Sequence, residues 1–351
     1  MDDRAFVRAL FSSSGDAFVG LDAAAWAGVH AIASSLQAEA LLAARLRVWG
    51  ARISVPEDVS AALDHAYKNN VVHALAARHE LDEILASFAA KRIDVAPLKG
   101  AELMRRGVHR DLGARYMHDL DLLVHSRDRA AARALLDARG YRLAPSGESP
   151  KHLPPMLRGR VYVELHEFAY WDADGTAVDL ARWQRARSTL SPTVVHLVHH
   201  LFRSSVNEPL LALKTFWDFH EIETAHPDAL EIDELARRAG LVRELGLCRA
   251  LSRPDAPERA EALELCRPIS AAALDARVLR FHLALLTRAP LWYRALHARS
   301  ILAPSRRAMA RIAGRPLEGW DLARAYAARP FELAGKGVRA AVRAIRARAP
   351  R

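Results

Sequence analysis

Two aspartates separated by one leucine begin an apolar run that continues to Val124. In a β-strand successive side chains point to opposite faces, so Asp119 and Asp121 would share one face, with Leu120 and Leu122 on the other. Carboxylates held this close repel each other unless a cation or a proton lies between them. Mg²⁺ is the expected cation, because it is often held by one or two carboxylates together with substrate phosphates. An exposed edge-strand pair, or a hydrated pair in a loop, is the alternative explanation of this common pattern.

A third carboxylate follows on a second predicted strand, Arg160 to Phe168. The alternation of side chains puts Glu164 and His166 on one face of that strand. Glu164 can therefore lie beside Asp119 and Asp121. His166 is expected to contact a phosphate, to orient an acceptor or to hydrogen-bond Glu164; the alternative is a buried structural histidine.

A glycine-bearing turn precedes the aspartates. The predicted strand Ile93 to Leu98 ends in Lys99-Gly100, and a helix is predicted from Ala101 to Arg106. Backbone N–H groups of a glycine turn at a helix N-terminus form a natural phosphate cradle. Lys99 would add positive charge for a triphosphate tail, unless it is an ordinary solvated lysine.

Arg115 lies four residues before the first of the two aspartates. Two roles are open at this point: binding a phosphate, or bracing the acidic cluster through a paired hydrogen bond. His109, Arg110 and His118 lie in the same polar segment and are predicted to be on the loop surface.

Five motifs carry a resemblance to a known superfamily, in a fixed order along residues 60 to 220. They are Leu98-Lys99-Gly100, Arg115, the run from Asp119 to Val124, Gly140-Tyr141 and Glu164-Leu165-His166. Together they resemble the polymerase-β-type nucleotidyltransferase superfamily, and more narrowly a bacterial family of nucleotidyltransferase-like proteins. Better-known members of the superfamily carry Gly-Ser or Gly-Gly at the turn and a shorter gap from the turn to the aspartates. These departures bear on the substrate more than on the fold.

The resemblance implies an activity and a set of roles. Asp119, Asp121 and Glu164 would hold two Mg²⁺ ions, with Mn²⁺ as the alternative metal. One ion would activate the acceptor hydroxyl and the other would neutralise the pyrophosphate leaving group. The nucleotide-contacting residues would be Lys99, Gly100, Arg115 and His166. The donor would be a nucleoside triphosphate, although a sugar-nucleotide donor is also conceivable; the acceptor, a small molecule, peptide, protein or RNA end, is left open.

Two other classes of function compete with this hypothesis. The first is a non-catalytic nucleotide-binding regulatory module, which the loss of a carboxylate would favour; all three carboxylates are present. The second is a basic nucleic-acid-binding protein, although the sequence has no aromatic-rich strand motif and no C-x-x-C finger. His196 and His200 are four residues apart and permit a zinc site, but no H-E-x-x-H motif accompanies them.

The elements that must position these residues predict an α+β fold with helical regions on both sides of the strands, and the resemblance implies that the strands form a small mixed nucleotidyltransferase-type sheet. We expect a helical region over 1–90, the catalytic core over 91–180 and a second helical region over 181–351. A long helix from about Glu57 to Ala90 is expected to wall one side of the pocket. The turn-rich segment from Ala144 to Pro150 is expected to close over the substrate.

The composition of the chain limits the classes of protein to which it can belong. The chain of 351 residues is 51% apolar, enough for a sizeable core, and lacks the long apolar run of a membrane span. The acidic N-terminus is unlike a secretory signal, and two cysteines without a C-x-x-C pair predict a cytoplasmic protein. The net charge of +10 suggests an anionic partner or simply an arginine-rich composition. The basic C-terminal helix could bind nucleic acid, an anionic membrane or an acidic partner. The alternative is a solvated terminal helix without a partner. The oligomeric state is left open.

Overall fold

The structure is a computed structural model that describes residues 1–346 except 118, 145–151, 187–188, 205–208, 226–231, 254, 268–270 and 314–315. Two predictions fall outside this part of the chain. They are the surface position of His118 and the closing loop, of which only Ala144 is described. The side chains of residues 336–346 are also outside it, so the predicted basic face of the last helix is not tested.

A five-stranded mixed sheet forms the centre of the fold, in the order β1-β2-β5-β4-β3. β2 and β5 are parallel neighbours, and each of the other adjacent pairs is antiparallel. Two parallel strands need a crossover connection, which here runs through a helix and the strands β3 and β4. The strands are β1 (Val95–Pro97), β2 (Asp119–Val124), β3 (Arg142–Leu143), β4 (Met156–Arg158) and β5 (Val161–His166).

Helices surround this sheet, which confirms the predicted α+β class. Those that precede the sheet are α1 (Asp3–Leu10), α2 (Ala23–Ser35), α3 (Glu39–Trp49) and α4 (Glu57–Ala90). Those between strands are α5 (Lys99–Arg105) and α6 (Arg129–Ala138). Those that follow are α7 (Leu180–Ala186), α8 (Ser191–His199, continued by a π-helical segment His200–Ser204), α9 (Pro209–Ala225), α10 (Ile232–Arg238), α11 (Val242–Arg249), α12 (Arg259–Leu265), α13 (Ala271–Arg288), α14 (Leu291–Leu302), α15 (Arg306–Ala313) and α16 (Gly319–Arg346).

One face of the sheet is covered by α4 and α6. The buried side chains of Leu122 and Leu165 on the central strands belong to the same core as Ile84 and Phe88 of α4 and Leu136 of α6. The period-two alternation of the strands leaves their polar residues on the opposite face. The 34-residue helix α4 has the predicted bounds and packs against the sheet.

The helices that precede the strands in the sequence and several that follow them share a second hydrophobic core. Phe6 and Trp26 from the N-terminal helices pack in the same cluster as Val194 of α8 and Phe216 of α9, and Leu123 of β2 also belongs to it. The polar face of the sheet is therefore packed against helices that precede the strands and helices that follow them in the sequence.

Helix α4 also fixes the segment that leads into β2. Tyr67 donates a hydrogen bond from its hydroxyl to Asp111 Oδ1 at 2.9 Å, and Asn70 Nδ2 donates to the carbonyl of Gly113 at 3.2 Å. The ring of Tyr67 lies so close that a Cβ on Gly113 would be 2.3 Å from it. Only glycine leaves room for this contact, so the approach to the acidic strand is tightly packed.

Within the described residues, no helix combines the length and the apolarity that crossing a bilayer requires.

The role of α4 in the core can be tested by unfolding. Phe88→Ala removes a fully buried ring and should lower the free energy of unfolding by about 3–5 kcal/mol. Val72→Ala truncates an exposed side chain on the same helix and should change it by less than about 0.5 kcal/mol. Urea titrations of the three proteins provide the measurement. Equal effects of the two substitutions would show that α4 does not support the sheet in this way.

Candidate active site

The parallel pairing of β2 and β5 brings the predicted acidic residues together. Asp121 is in register with Glu164, and Asp119 is in register with Tyr162. Residues paired across neighbouring strands project on the same face, so all three carboxylates lie on the polar face of the sheet. The structure thus places Glu164 beside the two aspartates, on one side of the sheet.

Two histidines contact these carboxylates. Buried His166 has its Nε2 atom 2.7 Å from Asp121 Oδ1 and 3.6 Å from Glu164 Oε2. His152, in the segment that bridges to the end of β5, has its Nε2 atom 3.3 Å from Glu164 Oε2. Within the described part of the chain, the one group with metal-ligand geometry is Asp121, Glu164 and His166, whose ligand atoms lie within 4.8 Å of one another. Asp119 stands on the same face but is not part of that closer group.

Lys99 supplies the nearest positive charge. Its Nζ atom lies 2.9 Å from Asp121 Oδ1, and little of its side chain is exposed. Its backbone has a φ of +45°, a left-handed conformation that costs about 1–3 kcal/mol in residues other than glycine. A strained lysine at the junction between β1 and α5 is therefore held against the acidic cluster by the surrounding fold.

The two aspartates have opposite shifts in pKa. Burial raises the pKa of Asp119, and the negative charge of Asp121 raises it further. Burial also acts to raise the pKa of Asp121, but the charge of Lys99 and the hydrogen bond from His166 outweigh it and hold that pKa well below its usual range. Asp121 is thus an ionised anchor, and Asp119 is the carboxyl of the pair that takes up a proton more readily.

Arg115 is buried behind the cluster and paired with Asp218 of α9. Its Nε and Nη2 atoms donate to the two carboxylate oxygens at 2.5 and 3.0 Å. Its guanidinium also lies against the backbone of Gly100, where a Cβ would be 2.6 Å from Nη1. These contacts give Arg115 a structural role, in which its paired hydrogen bond goes to Asp218 and not to the acidic cluster. They also give the glycine of the turn a packing reason in addition to the expected phosphate cradle.

His109 corrects one of the sequence expectations. It was predicted to be on the loop surface, but it is buried, and its Nε2 atom lies 2.9 Å from Asp218 Oδ1. Burial acts to raise the pKa of Asp218, yet the charge of Arg115 and the close contact with His109 hold it well below its usual range. The surface prediction is wrong because a polar segment was assumed to be solvated, whereas this one packs against α9.

Lys214 of α9 was missed by the sequence reasoning. Burial lowers its pKa, as does the nearby charge of Arg115, while Asp119 and Asp218 act in the opposite direction. The signal was present in the sequence, since a lysine directly follows an apolar run and stands four residues before Asp218, and residues four apart share a helix face. The acidic face therefore has a lysine from α9 in addition to Lys99.

The zinc alternative gains no support. His196 is buried in the core next to the rings of Tyr170 and Trp183, and its own ring centre is 6.5 Å from that of His200. Neither histidine belongs to a group with metal-ligand geometry in the ranges that the structure describes.

The chemistry of the donor set fits a divalent cation. Carboxylate oxygens are the ligands that Mg²⁺ and Mn²⁺ prefer, and Asp121 and Glu164 present them within reach of one ion. Asp119 offers a third carboxylate on the same face. His166 Nε2 is in hydrogen-bond contact with Asp121, and no acceptor for its buried Nδ1 lies among the described residues. The tautomer with hydrogen on Nε2 is therefore favoured, in which His166 orients the carboxylate.

The fold and the site together define a protein of the nucleotidyltransferase type. A family model described as an uncharacterised nucleotidyltransferase matches residues 22–253. The match covers well over half of the chain, so this chain belongs to that family, and the resemblance seen in the sequence is confirmed. Comparisons with curated proteins and with solved structures gave no significant match.

The buried pair behind the site makes a prediction about stability. Asp218→Asn leaves the guanidinium of Arg115 buried without its counter-charge and should lower the free energy of unfolding by about 3–5 kcal/mol. Glu234→Gln breaks an exposed ion pair with Arg237 and should cost less than about 1 kcal/mol. Chemical unfolding at neutral pH distinguishes the two. A loss of less than about 1 kcal/mol in Asp218→Asn would mean that Arg115 does not depend on this partner.

Proposed function

We propose that this protein is a metal-dependent nucleotidyltransferase, which moves a nucleoside monophosphate from a nucleoside triphosphate to an acceptor hydroxyl and releases pyrophosphate. The observation that supports this most directly is the register of β2 and β5, which sets Asp121 beside Glu164 with Asp119 on the same face. Membership of the nucleotidyltransferase family supports the reaction class.

In this proposal Asp119, Asp121 and Glu164 hold the divalent cations, two Mg²⁺ with Mn²⁺ as the alternative. When bound, the cations stabilise negative charge on the phosphates and lower the pKa of the attacking hydroxyl. His166 keeps the Asp121 carboxylate oriented through its 2.7 Å contact, and His152 does the same for Glu164.

The positive charges around the cluster receive the phosphates. Lys99 contacts the carboxylate of Asp121. We propose that Lys99 binds the triphosphate tail, together with the backbone of Gly100 and with Lys214. Arg115, which the resemblance offered as a nucleotide contact, acts instead as a positioning residue, since its guanidinium is already paired with Asp218. Lysine ammonium groups suit this task because they act as point charges on phosphate oxygens.

The remaining parts of the proposal concern the surroundings of the reaction. We retain residues 91–180 as the nucleotidyltransferase core between helical regions at 1–90 and 181–351. A cytoplasmic location would supply the triphosphate, and it agrees with the two cysteines, Cys248 and Cys266, being free and buried. The acceptor is a small molecule, a peptide or protein, or RNA.

Activity and acceptor can be tested in one experiment. The purified full-length protein is incubated with each labelled nucleoside triphosphate and Mg²⁺, with and without cell extract, and labelled products are identified by mass spectrometry. We expect a covalent adduct that carries one nucleoside monophosphate, together with pyrophosphate. Nucleotide binding without any adduct or pyrophosphate would favour the alternative, a non-catalytic nucleotide-binding module.

The roles of the carboxylates make a separate prediction. Asp119→Asn and Glu164→Gln should each reduce transfer by at least about a thousandfold, because each removes a charge that stabilises the transition state through the metal. Unfolding curves should stay close to wild type, since neither side chain belongs to a hydrophobic core. Glu167→Gln is the matched control: this acid lies three residues after Glu164 but pairs with Arg129 on the surface. Near-wild-type transfer by either site variant would contradict the assigned roles.

A further inference from the structure

The positive charge of the chain is concentrated at one end. Residues 271–351 contain 17 Lys and Arg against 4 Asp and Glu, whereas residues 1–270 contain 34 against 37. The basic part also lies beyond the family match, which ends at residue 253. The net charge of +10 thus does not describe the nucleotidyltransferase part, and the C-terminal helices need an explanation of their own.

The same helices expose an unusual amount of apolar surface. Nine of the sixteen large exposed apolar side chains of the described residues lie between residues 283 and 331. They are Leu283, Leu286, Leu291, Trp292, Leu296, Leu302, Ile312, Trp320 and Phe331. Apolar side chains that form one contiguous exposed face are typical of a surface that contacts a protein or a membrane.

The described side chains of helix α16 form two distinct faces, one packed on neighbouring helices and one exposed. Leu322, Tyr326, Arg329 and Leu333 follow a spacing of four, three and four residues, and all are partly buried. Tyr326 donates to the carbonyl of Pro304, and Arg329 donates to that of Ile301, so this face is docked on the neighbouring helices.

The opposite side of α16 is the outer face, which consists of Trp320, Arg324, Ala327, Phe331 and Ala334. These residues follow the same helical spacing and all are exposed; Trp320 is 83% and Phe331 78% accessible. Further along, where side chains lie outside the described part, the sequence alone continues the apolar spacing at Val338, Val342 and Ile345.

We propose that the outer face of α16 binds the surface of an anionic lipid membrane. A long helix with Trp, Phe and aliphatic residues on one face and Arg and Lys around it lies in the plane of the interface, with its apolar face among the acyl chains and its cations at the headgroups. The rings of Trp320 and Phe331 enter the interface, and arginines such as Arg324 meet the lipid phosphates. The nucleotidyltransferase part is thereby held at a membrane.

The charge and the composition favour this occupant over two others. A second copy of the chain would bring the same excess of positive charge to the contact, and like charges oppose such an interface. Nucleic acid would satisfy the arginines, but phosphate contacts leave exposed leucines such as Leu291 and Leu302 without a role. An anionic bilayer satisfies both kinds of side chain.

The test uses the full-length protein with vesicles of equal parts phosphatidylglycerol and phosphatidylcholine, and with vesicles of phosphatidylcholine alone. We expect co-sedimentation with the anionic vesicles that weakens as salt is raised, because part of the attraction is screened. The double variant Trp320→Ser/Phe331→Ser should bind the anionic vesicles at least about tenfold more weakly, because two interfacial anchors are lost. The matched control is Val48→Ser/Val72→Ser, which changes two side chains that are 71% and 64% accessible elsewhere and should bind like wild type.

Three further measurements separate this proposal from its alternatives. Helix content by circular dichroism should be the same in both double variants, so that loss of binding is not loss of folding. Light scattering and a binding titration with single-stranded RNA provide the competing outcomes. Absence of vesicle binding, self-association that Trp320→Ser/Phe331→Ser abolishes, or RNA binding without vesicle binding would each overturn the proposal. None of these measurements depends on nucleotidyl transfer.

Discussion

The structure of this site depends on mutual repulsion among carboxylates that a parallel strand pair holds side by side. Asp121 is set opposite Glu164 by the register of β2 and β5, and Asp119 projects from the same face. Such an arrangement is unfavourable unless positive charge compensates it. Lys99 and His166 contact Asp121 directly, and Lys214 approaches from α9. The surrounding elements serve to bring these lysine charges and the imidazole donor to one place.

A second layer of charge holds that arrangement in position. Arg115 and Asp218 form a buried pair between the segment before β2 and α9, and His109 completes it. A buried ion pair of this kind contributes little net stability, but breaking it is costly because one charge is left alone. It therefore fixes how α9, and with it Lys214, sits against the acidic face. Gly100 allows the guanidinium of Arg115 to approach the turn.

The local periodicity of the sequence was sufficient to predict the faces of the two central strands, and together with the family resemblance it predicted the fold class. Alternation in β2 and β5 determines which side chains share a face, and no tertiary information is needed for that. The three-residue strand β4 was not predicted, because a segment so short has no measurable period. The burial of His109 and the approach of Lys214 were also missed, since both depend on where α9 packs. Long-range packing of this kind cannot be obtained from spacing along the chain.

The bounds of the long helix α4 were predicted from its start signals and its amphipathic pattern, and the structure confirms them. Its detailed role was not foreseen: Tyr67 and Asn70 hold the segment at 111–113, so a helix that covers one face of the sheet also shapes the approach to the other. The division of the chain at residues 90 and 180 stays a prediction, although helices from both flanks share one hydrophobic core.

The central claim is that the acidic face binds divalent cations, and it is tested most directly by titrating the full-length protein with Mn²⁺ while free Mn²⁺ is followed by electron paramagnetic resonance. The account predicts that wild type and Glu167→Gln bind Mn²⁺, that Mg²⁺ displaces it, and that Asp121→Asn loses most of this binding while remaining folded. Binding by Asp121→Asn that equals wild type would contradict the account, because the ions would then be held elsewhere on the molecule.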